Sequence, residues 1–252
     1  MEGNMRPVPK PASCHTCPLH AQKGLRDLHR EERKYISQFK QGEIQGKRGA
    51  TVIAHDQPVD QLYTVLEGML IRYRRLEDGR RQITNFLFPG DLVGLQAAFD
   101  EPTAYGVEVL TSARLCCFPK EDFPSLISEH PQLGFDLTWM AARDEMVLEE
   151  HLVAVGRRSA SERVAYLAMF LLERGRAVGL TADDHTLQIP IRQGQIADML
   201  GLSLVHTNRT IKALGREDIV HWTPQSITIP DLERAADHAH FLLQPDRQKP
   251  FI

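Results

Sequence analysis

Four cysteines stand in a chain of 252 residues, and two of them, Cys14 and Cys17, form a C-x-x-C pair near its start. Thiolates at that spacing suit a soft metal, an iron–sulfur cluster or thiol–disulfide exchange. The other two, Cys116 and Cys117, are adjacent in the run RLCCFP. Adjacent side chains of a strand point to opposite faces, so these two thiols cannot readily serve one ligand. Both are also compatible with service as small buried hydrophobes.

A second group of residues suits nucleic acid. The stretch IRQGQIADMLGLSLVHTNRTIKALGREDIV occupies residues 191–220. Gln193 to Leu200 predicts a short helix with Ile196, Met199 and Leu200 turned inward. Gly201 supplies a tight turn, and Ser203 caps a second helix whose buried side is expected to carry Val205, Ile211 and Leu214. That second helix offers Ser203, Leu204, His206, Asn208, Arg209 and Lys212 to a partner. Arginine pairs with guanine edges, asparagine with adenine edges, and hydroxyls and lysine with phosphates. Gln193, at the start of the preceding helix, is expected at a phosphate. Two β-like pieces, Ile219–Trp222 and Ser226–Ile229, flank Thr223-Pro224-Gln225 and predict a wing. An ordinary αα-hairpin with a solvated polar face is the competing reading of this segment.

Enzyme signatures are missing. The chain has no H-x-H-x-E metal triad, no G-x-S-x-G and no phosphate-binding G-x-x-x-x-G-K-S/T. Its eleven histidines are dispersed, and His20, His29, His55 and His130 read as surface residues. The sequence therefore reads as no enzyme. A regulatory binding module without DNA contact is the second alternative to a DNA-binding regulator.

The elements that position these residues follow from patterning. An apolar fraction of 42% and a charged fraction of 25% are ordinary for a globular chain and exclude disordered and collagen-like classes. No run approaches the roughly 18 apolar residues of a membrane span. The start, MEGNMRPVPKPASCHTC, lacks the apolar core of a signal peptide, which places the chain in the cytoplasm with its cysteines reduced or metal-bound. The net charge of −3 is uneven, with basic excess in residues 1–50, acidic excess in 51–155 and a local basic stretch at 185–216.

Residues 1–29 read as an irregular arm carrying the cysteine pair. From about Thr51 to Phe118, short alternating runs (QLYTVL, MLIRYRRL, RQITNFLF, YGVEVL, ARLCCF) are separated by turn formers, which predicts an antiparallel sandwich or barrel. Asp78-Gly79 marks a hairpin. Residues 131–155 run as one helix with two apolar stripes, more than one packing partner requires. One stripe is expected on the chain's own barrel and the other on a second copy, with Leu137, Met140, Ala141, Val147, Leu148 and Val155 forming the dimer interface. Burial within its own domain is the alternative. Gly156-Arg157-Arg158-Ser159 breaks the helix, and Ser159 with Glu162 forms a capping box for the next one. The closing LLQPDRQKPFI reads as a loose tail. The domains expected are an arm at 1–29, a β-domain at 30–130, a dimerisation helix at 131–156 and a DNA-binding domain at 157–252. The fold class is α+β.

In this order of parts the chain resembles the CRP/FNR family of bacterial transcription regulators over about residues 14–232. The resemblance is carried by LYTVLEGMLIRYRRLEDGRRQITNFLFPGDLVG, RRSASERVAYL and IADMLGLSLVHTNRTIKAL. It implies an N-terminal antiparallel β-roll of the cyclic-nucleotide-binding, jelly-roll type, a long dimerisation helix and a C-terminal winged helix-turn-helix. It also implies a homodimer on a palindromic double-stranded operator, with RNA polymerase as a further partner and no membrane.

Two departures refine the resemblance. Cyclic-nucleotide members carry Gly-Glu and an Arg-Ser pair in the phosphate cassette after Pro-Gly-Asp. The equivalent stretch here, LVGLQAAFDEPTAY from Leu92 to Tyr105, has no arginine to pair a cyclic phosphate, which argues against cyclic AMP. The FNR branch instead holds a 4Fe-4S cluster through three arm cysteines and one in the roll. Cys14, Cys17 and Cys116 match three of these positions, but Lys23 stands where the third arm cysteine belongs. A cluster would need a fourth ligand from His15, His20, Cys117 or outside the chain. A thiol–disulfide redox switch and the absence of any metal or redox role are the alternatives. The FNR branch also reads its operator with Glu followed three residues on by Ser-Arg. Val205, Asn208 and Arg209 occupy those positions here, so the resemblance implies an altered half-site.

Overall fold

Alternating apolar residues broken by turn formers fold the first half of the chain into β-structure. The computed structural model describes residues 5–96, 104–182, 184–243 and 248–252. Its strands are β1 (Arg6–Pro7), β2 (Gly42–Gly46), β3 (Thr51–Ile53), β4 (Gln61–Glu67), β5 (Leu70–Arg75), β6 (Arg81–Leu87), β7 (Leu92–Val93), β8 (Gly106–Val109) and β9 (Ala113–Pro119). Among the described residues they form two antiparallel sheets, β1-β2-β9-β4-β7 and β3-β8-β5-β6. Val65, Leu70, Leu87, Val107 and Leu115 fill the space between them. The Asp78-Gly79 hairpin joins β5 to β6, with Gly79 at φ 85°, a value glycine adopts without strain. All five expected strands are present. Strands β1, β3 and β7, of two or three residues, are too short to show a period. Of the arginine-free cassette stretch, residues 97–103 lie outside the described residues.

The arm is irregular but docked. β1 pairs with β2, and short 3-10 turns at Cys14–Thr16 and Pro18–Ala21 hold the two arm cysteines. Helices α1 (Arg30–Phe39), α2 (Phe123–Glu129) and the first half of α3 (Pro131–Arg157) cover one face of the roll. Phe39 stacks on Phe118 of β9 with ring centroids 5.1 Å apart.

The long helix α3 corrects the expected seam. Leu137 and Met140 are buried against the protomer's own roll, because the roll's helical face needs an apolar lid. Val147 packs on the core shared with the DNA-binding half, and Val155 lies beside the Gly201 turn. Leu137 and Met140 are thus covered within one protomer, whereas Val147 and Val155 stay half-buried. The outward side carries Phe135, Met146, Leu148, Leu152 and Val153, with Ala141 also exposed.

After α3, the Ser159–Glu162 capping box starts α4 (Ala160–Ala177), whose buried face runs from Val164 to Leu172. His151 on α3 and Tyr166 on α4 meet at 2.8 Å (Nδ1 to Oη), fixing the angle between the helices. The second half continues with β10 (Thr186–Gln188), α5 (Gln193–Leu200), α6 (Leu204–Arg216), β11 (His221–Trp222), β12 (Ser226–Thr228) and α7 (Leu232–Ala239). β10-β12-β11 form a third small sheet, so the wing has one strand more than its two expected pieces. No helix among the described residues is long and apolar enough to cross a membrane.

The tail is not loose where it is described. Lys249 exchanges backbone hydrogen bonds with the arm: its N–H donates to Gly24 O at 2.8 Å, and Arg26 N–H donates to its carbonyl at 2.8 Å. Phe251 and Ile252 are 2% and 3% exposed, wedged into the cluster around Cys14, Leu19 and Cys116.

Candidate nucleic-acid interface and cysteine cavity

Helices α5 and α6 are joined by Gly201, at φ 64°, and Leu202–Ser203. The left-handed turn needs glycine, since a side chain there would be strained. The Ser203 side chain accepts the His206 backbone N–H at 3.2 Å and so caps α6. Ile196, Met199, Leu200, Ile211 and Leu214 are buried as expected. Val205 is not: it is 71% exposed, and Thr207 and Thr210 take the inward positions. Thr207 can be buried because its hydroxyl donates to Ser203 O at 3.0 Å.

The outward side of α6 brings together Ser203, Leu204, Val205, His206, Arg209 and Lys212, all exposed. Asn208 is half-buried, and its amide nitrogen donates to Gln193 Oε1 at 3.0 Å. Gln193, half-buried at the start of α5, thus braces Asn208, which keeps one N–H and its carbonyl for a base edge. The remaining predicted residues share one surface with the basic end of α6 at Arg216. A helix presenting arginine, lysine and amide groups beside a three-stranded wing can enter a major groove and grip the flanking phosphates.

The cysteines converge elsewhere. Cys14, Cys17 and Cys116 line one apolar cavity of about 20 Å³, together with His20, Phe251 and Ile252. Cys117 is not on that wall. It sits on the other face of β9, opposite Tyr63. Burial drives the Cys116 thiol far above its ordinary range, although the Lys40 ammonium opposes this. Burial also raises Cys17 and pushes Cys117 up to about 11. All four are free thiols.

These residues, as arranged, do not fit a 4Fe-4S cluster. A space of about 20 Å³ holds about one water molecule, too little for four irons and four sulfides. Neither expected histidine completes a set. His20 is half-buried, with Nε2 2.8 Å from Cys14 O and Nδ1 2.6 Å from Asp27, and His15 is exposed. Among the described residues no three His, Cys, Asp or Glu side chains are grouped to hold a metal ion.

One buried charge reads in sequence only as a turn former. Asp91, of Pro89-Gly90-Asp91, is buried and accepts from the Phe88 N–H at 2.8 Å, from Arg174 of α4 at 2.5 Å and from Lys249. Burial alone would raise its carboxyl, but Arg174, Lys249 and the Phe88 amide together hold it far below the carboxylate range. It borders a second cavity of about 250 Å³ between the roll and α3, where Arg72 pairs with Asp144 at 3.1 Å. Partners 83 and 158 residues away leave no local signal for this hub.

Comparison with known proteins matches both halves. The cyclic nucleotide-binding domain family matches residues 43–130, and the Crp-like helix-turn-helix domain family matches residues 165–235. The nitrogen fixation regulation protein FixK of Bradyrhizobium diazoefficiens is 33% identical over 186 residues, 74% of this chain and 77% of that protein. The transcriptional activator protein FnrL of Cereibacter sphaeroides is 28% identical over 209 residues, 82% of this chain and 83% of that protein. The solved structure of FixK2 from Bradyrhizobium japonicum aligns with a TM-score of 0.69 at 24% identity, covering 81% of this chain and 98% of that one.

Proposed function

Because the chain belongs to the CRP/FNR family of transcription regulators, on its FNR-like side, we propose that it binds a palindromic operator as a homodimer and tunes that binding to a redox- or oxygen-related signal. It is a DNA-binding regulator and not an enzyme. The observation that carries the operator reading is the Ser203-capped helix α6, with Arg209 and Lys212 on the side opposite its core residues and half-buried Asn208 at the edge of that side. Arg209 reads a guanine edge, Asn208 an adenine edge, and Ser203, His206, Lys212 and Gln193 hold the phosphates or flanking edges. This reading puts the protein in the cytoplasm with the DNA it binds, and makes RNA polymerase the expected further partner.

The dimer reading rests on the outward side of α3. Phe135, Met146, Leu148, Leu152 and Val153 on one helix are more apolar surface than an isolated helix leaves to water. Two such helices packed together would place two α6 helices on half-sites one turn of DNA apart. The signal reading rests on three thiols meeting in one cavity beneath the arm. Cyclic AMP is disfavoured, since the Leu92–Tyr105 segment supplies no arginine for its phosphate.

A mobility-shift titration at fixed, stated salt with random duplex as competitor tests the function. A retarded complex that survives excess random DNA is expected, weakened after a thiol oxidant. Equal affinity for every duplex would overturn the operator reading, and indifference to oxidant and oxygen would overturn the signal reading.

A further inference from the structure

The first turn of α6 exposes two large apolar side chains side by side, Leu204 at 57% and Val205 at 71%. They stand at the tip of the surface that otherwise bears Ser203, His206, Arg209 and Lys212. Val205, Arg209 and Lys212 are spaced i, i+4 and i+7, so they form one stripe along the helix. The N-terminal residues of a recognition helix are those that reach base edges. A valine there has no donor or acceptor, so it cannot read the nitrogen and oxygen atoms of a base. The one apolar group that base pairs present in the major groove is the C5-methyl of thymine. Valine in a helix is also held almost entirely in one rotamer, so its methyl groups are presented with little entropy to lose.

We propose that Val205 is a specificity-determining residue that selects a thymine, through its C5-methyl, next to the guanine read by Arg209 in each half-site. Four residues of helix separate Val205 from Arg209, a rise of about 6 Å. Against the 3.4 Å spacing of bases along a strand, the thymine lies one or two base pairs from that guanine. The inference rests on the operator reading above and sharpens it.

The test begins with selection of a preferred duplex from a random pool by the full-length protein, repeated with Arg209→Ala to locate the guanine. Deoxyuridine then replaces each thymidine singly, which deletes one methyl and changes no hydrogen bond. Wild-type protein should bind about fourfold more weakly per half-site at one thymine, within two base pairs of that guanine, the effect of one lost methyl-sized apolar contact. Val205→Ala should bind the thymine and uracil forms equally, and as an exposed change it should leave the thermal midpoint unmoved. The proposal fails if no thymine lies in that window, if uracil is tolerated everywhere, or if Val205→Ala keeps the same sensitivity. Selection that enriches no sequence at all would sink the operator reading with it, whereas a selected operator indifferent to its methyl groups sinks this proposal alone.

Discussion

Arg209 carries the clearest single-residue expectation. Its guanidinium is exposed on α6 and tied to no acceptor among the described residues, so its five donors are available to a guanine edge. Arg209→Ala should weaken operator binding by about 1–3 kcal/mol and relax selectivity at one base pair, while binding to random duplex changes little. Titration against a panel of single base-pair variants checks this, and an equal loss on every variant would demote Arg209 to a phosphate contact. Much of this surface was legible because serine, asparagine, arginine and lysine in one amphipathic stretch have few other uses. Val205 was misplaced for a physical reason. A helical period assigns valine inward, yet Thr207 and Thr210 are the residues buried there, and Thr207 satisfies its hydroxyl on the carbonyl four residues back. Gln193 was placed at a phosphate, and the structure adds that it braces Asn208. Asparagine–glutamine pairs across a turn leave no mark in a period.

Helix α3 carries both the surface proposed for assembly and the contact with α4. Its outward residue Leu152 is 72% exposed in the protomer, so Leu152→Asp should leave the monomer fold intact. In a helix–helix seam the same carboxylate would be buried unpaired, at a cost of several kcal/mol. Sedimentation equilibrium should then show monomer at concentrations where the wild type is dimeric, and an unchanged dimer would move the interface off this face. The inward side holds His151, whose Nε2 has no hydrogen-bond partner among the described residues and whose Nδ1 meets Tyr166. Burial, and then the cations Arg72 and Arg174, push it down to about 3; Arg158 lies over the Tyr166 ring, and Glu150 is near the tyrosine hydroxyl. The folded imidazole therefore stays neutral while the unfolded one protonates near its ordinary value of about 6.5. Stability from this group is complete above that value and drains away as pH falls through the window from 6.5 toward 3, amounting to about 2 kcal/mol at pH 5. Urea titrations at pH 7 and pH 5 should show that difference in the wild type and a smaller one in His151→Phe. Elements of this length were legible because they repeat: α3, α4 and the strands of five or more residues show their period several times over. The pairs β1 and β7, and the third wing strand β10, are two or three residues long and show it hardly once. Leu137 and Met140 had a correct period but an ambiguous partner, since one stripe suits the chain's own roll as well as a second copy.

At the scale of the whole molecule, the roll, the DNA-binding half and the closing segment meet at one carboxylate. Asp91 ends the turn after β6, Arg174 projects from α4, and Lys249 arrives from beyond α7. The roll is also tied to α5 by Arg81 to Asp198 at 2.9 Å and by Gln82 Nε2 to Met199 O at 2.8 Å. Residues 248–252 then continue past the hub, pair with the arm at Gly24–Arg26 and close the cavity that holds Cys14, Cys17 and Cys116. These residues read as loose in sequence because five residues with one proline and one charged side chain show no period, and what orders them is a groove built from segments far away in the chain. Their apolar contribution is concentrated in Phe251 and Ile252, each worth about 1.5–3 kcal/mol when fully buried. Deleting residues 248–252 should therefore lower stability by about 3 kcal/mol, part of the gross value being offset by freed chain entropy. It should also open the thiol cavity. Under native conditions Cys116 reacts with an alkylating reagent only through local opening, and removing the lid should raise that rate at least about tenfold, while Cys117, on the other face of β9, stays as protected as before. Alkylation followed by mass spectrometry of each cysteine peptide reads the two rates side by side. A rise at Cys117 equal to that at Cys116 would mean general loosening of the roll, and no rise at either would mean the closing segment is not what shields the cavity.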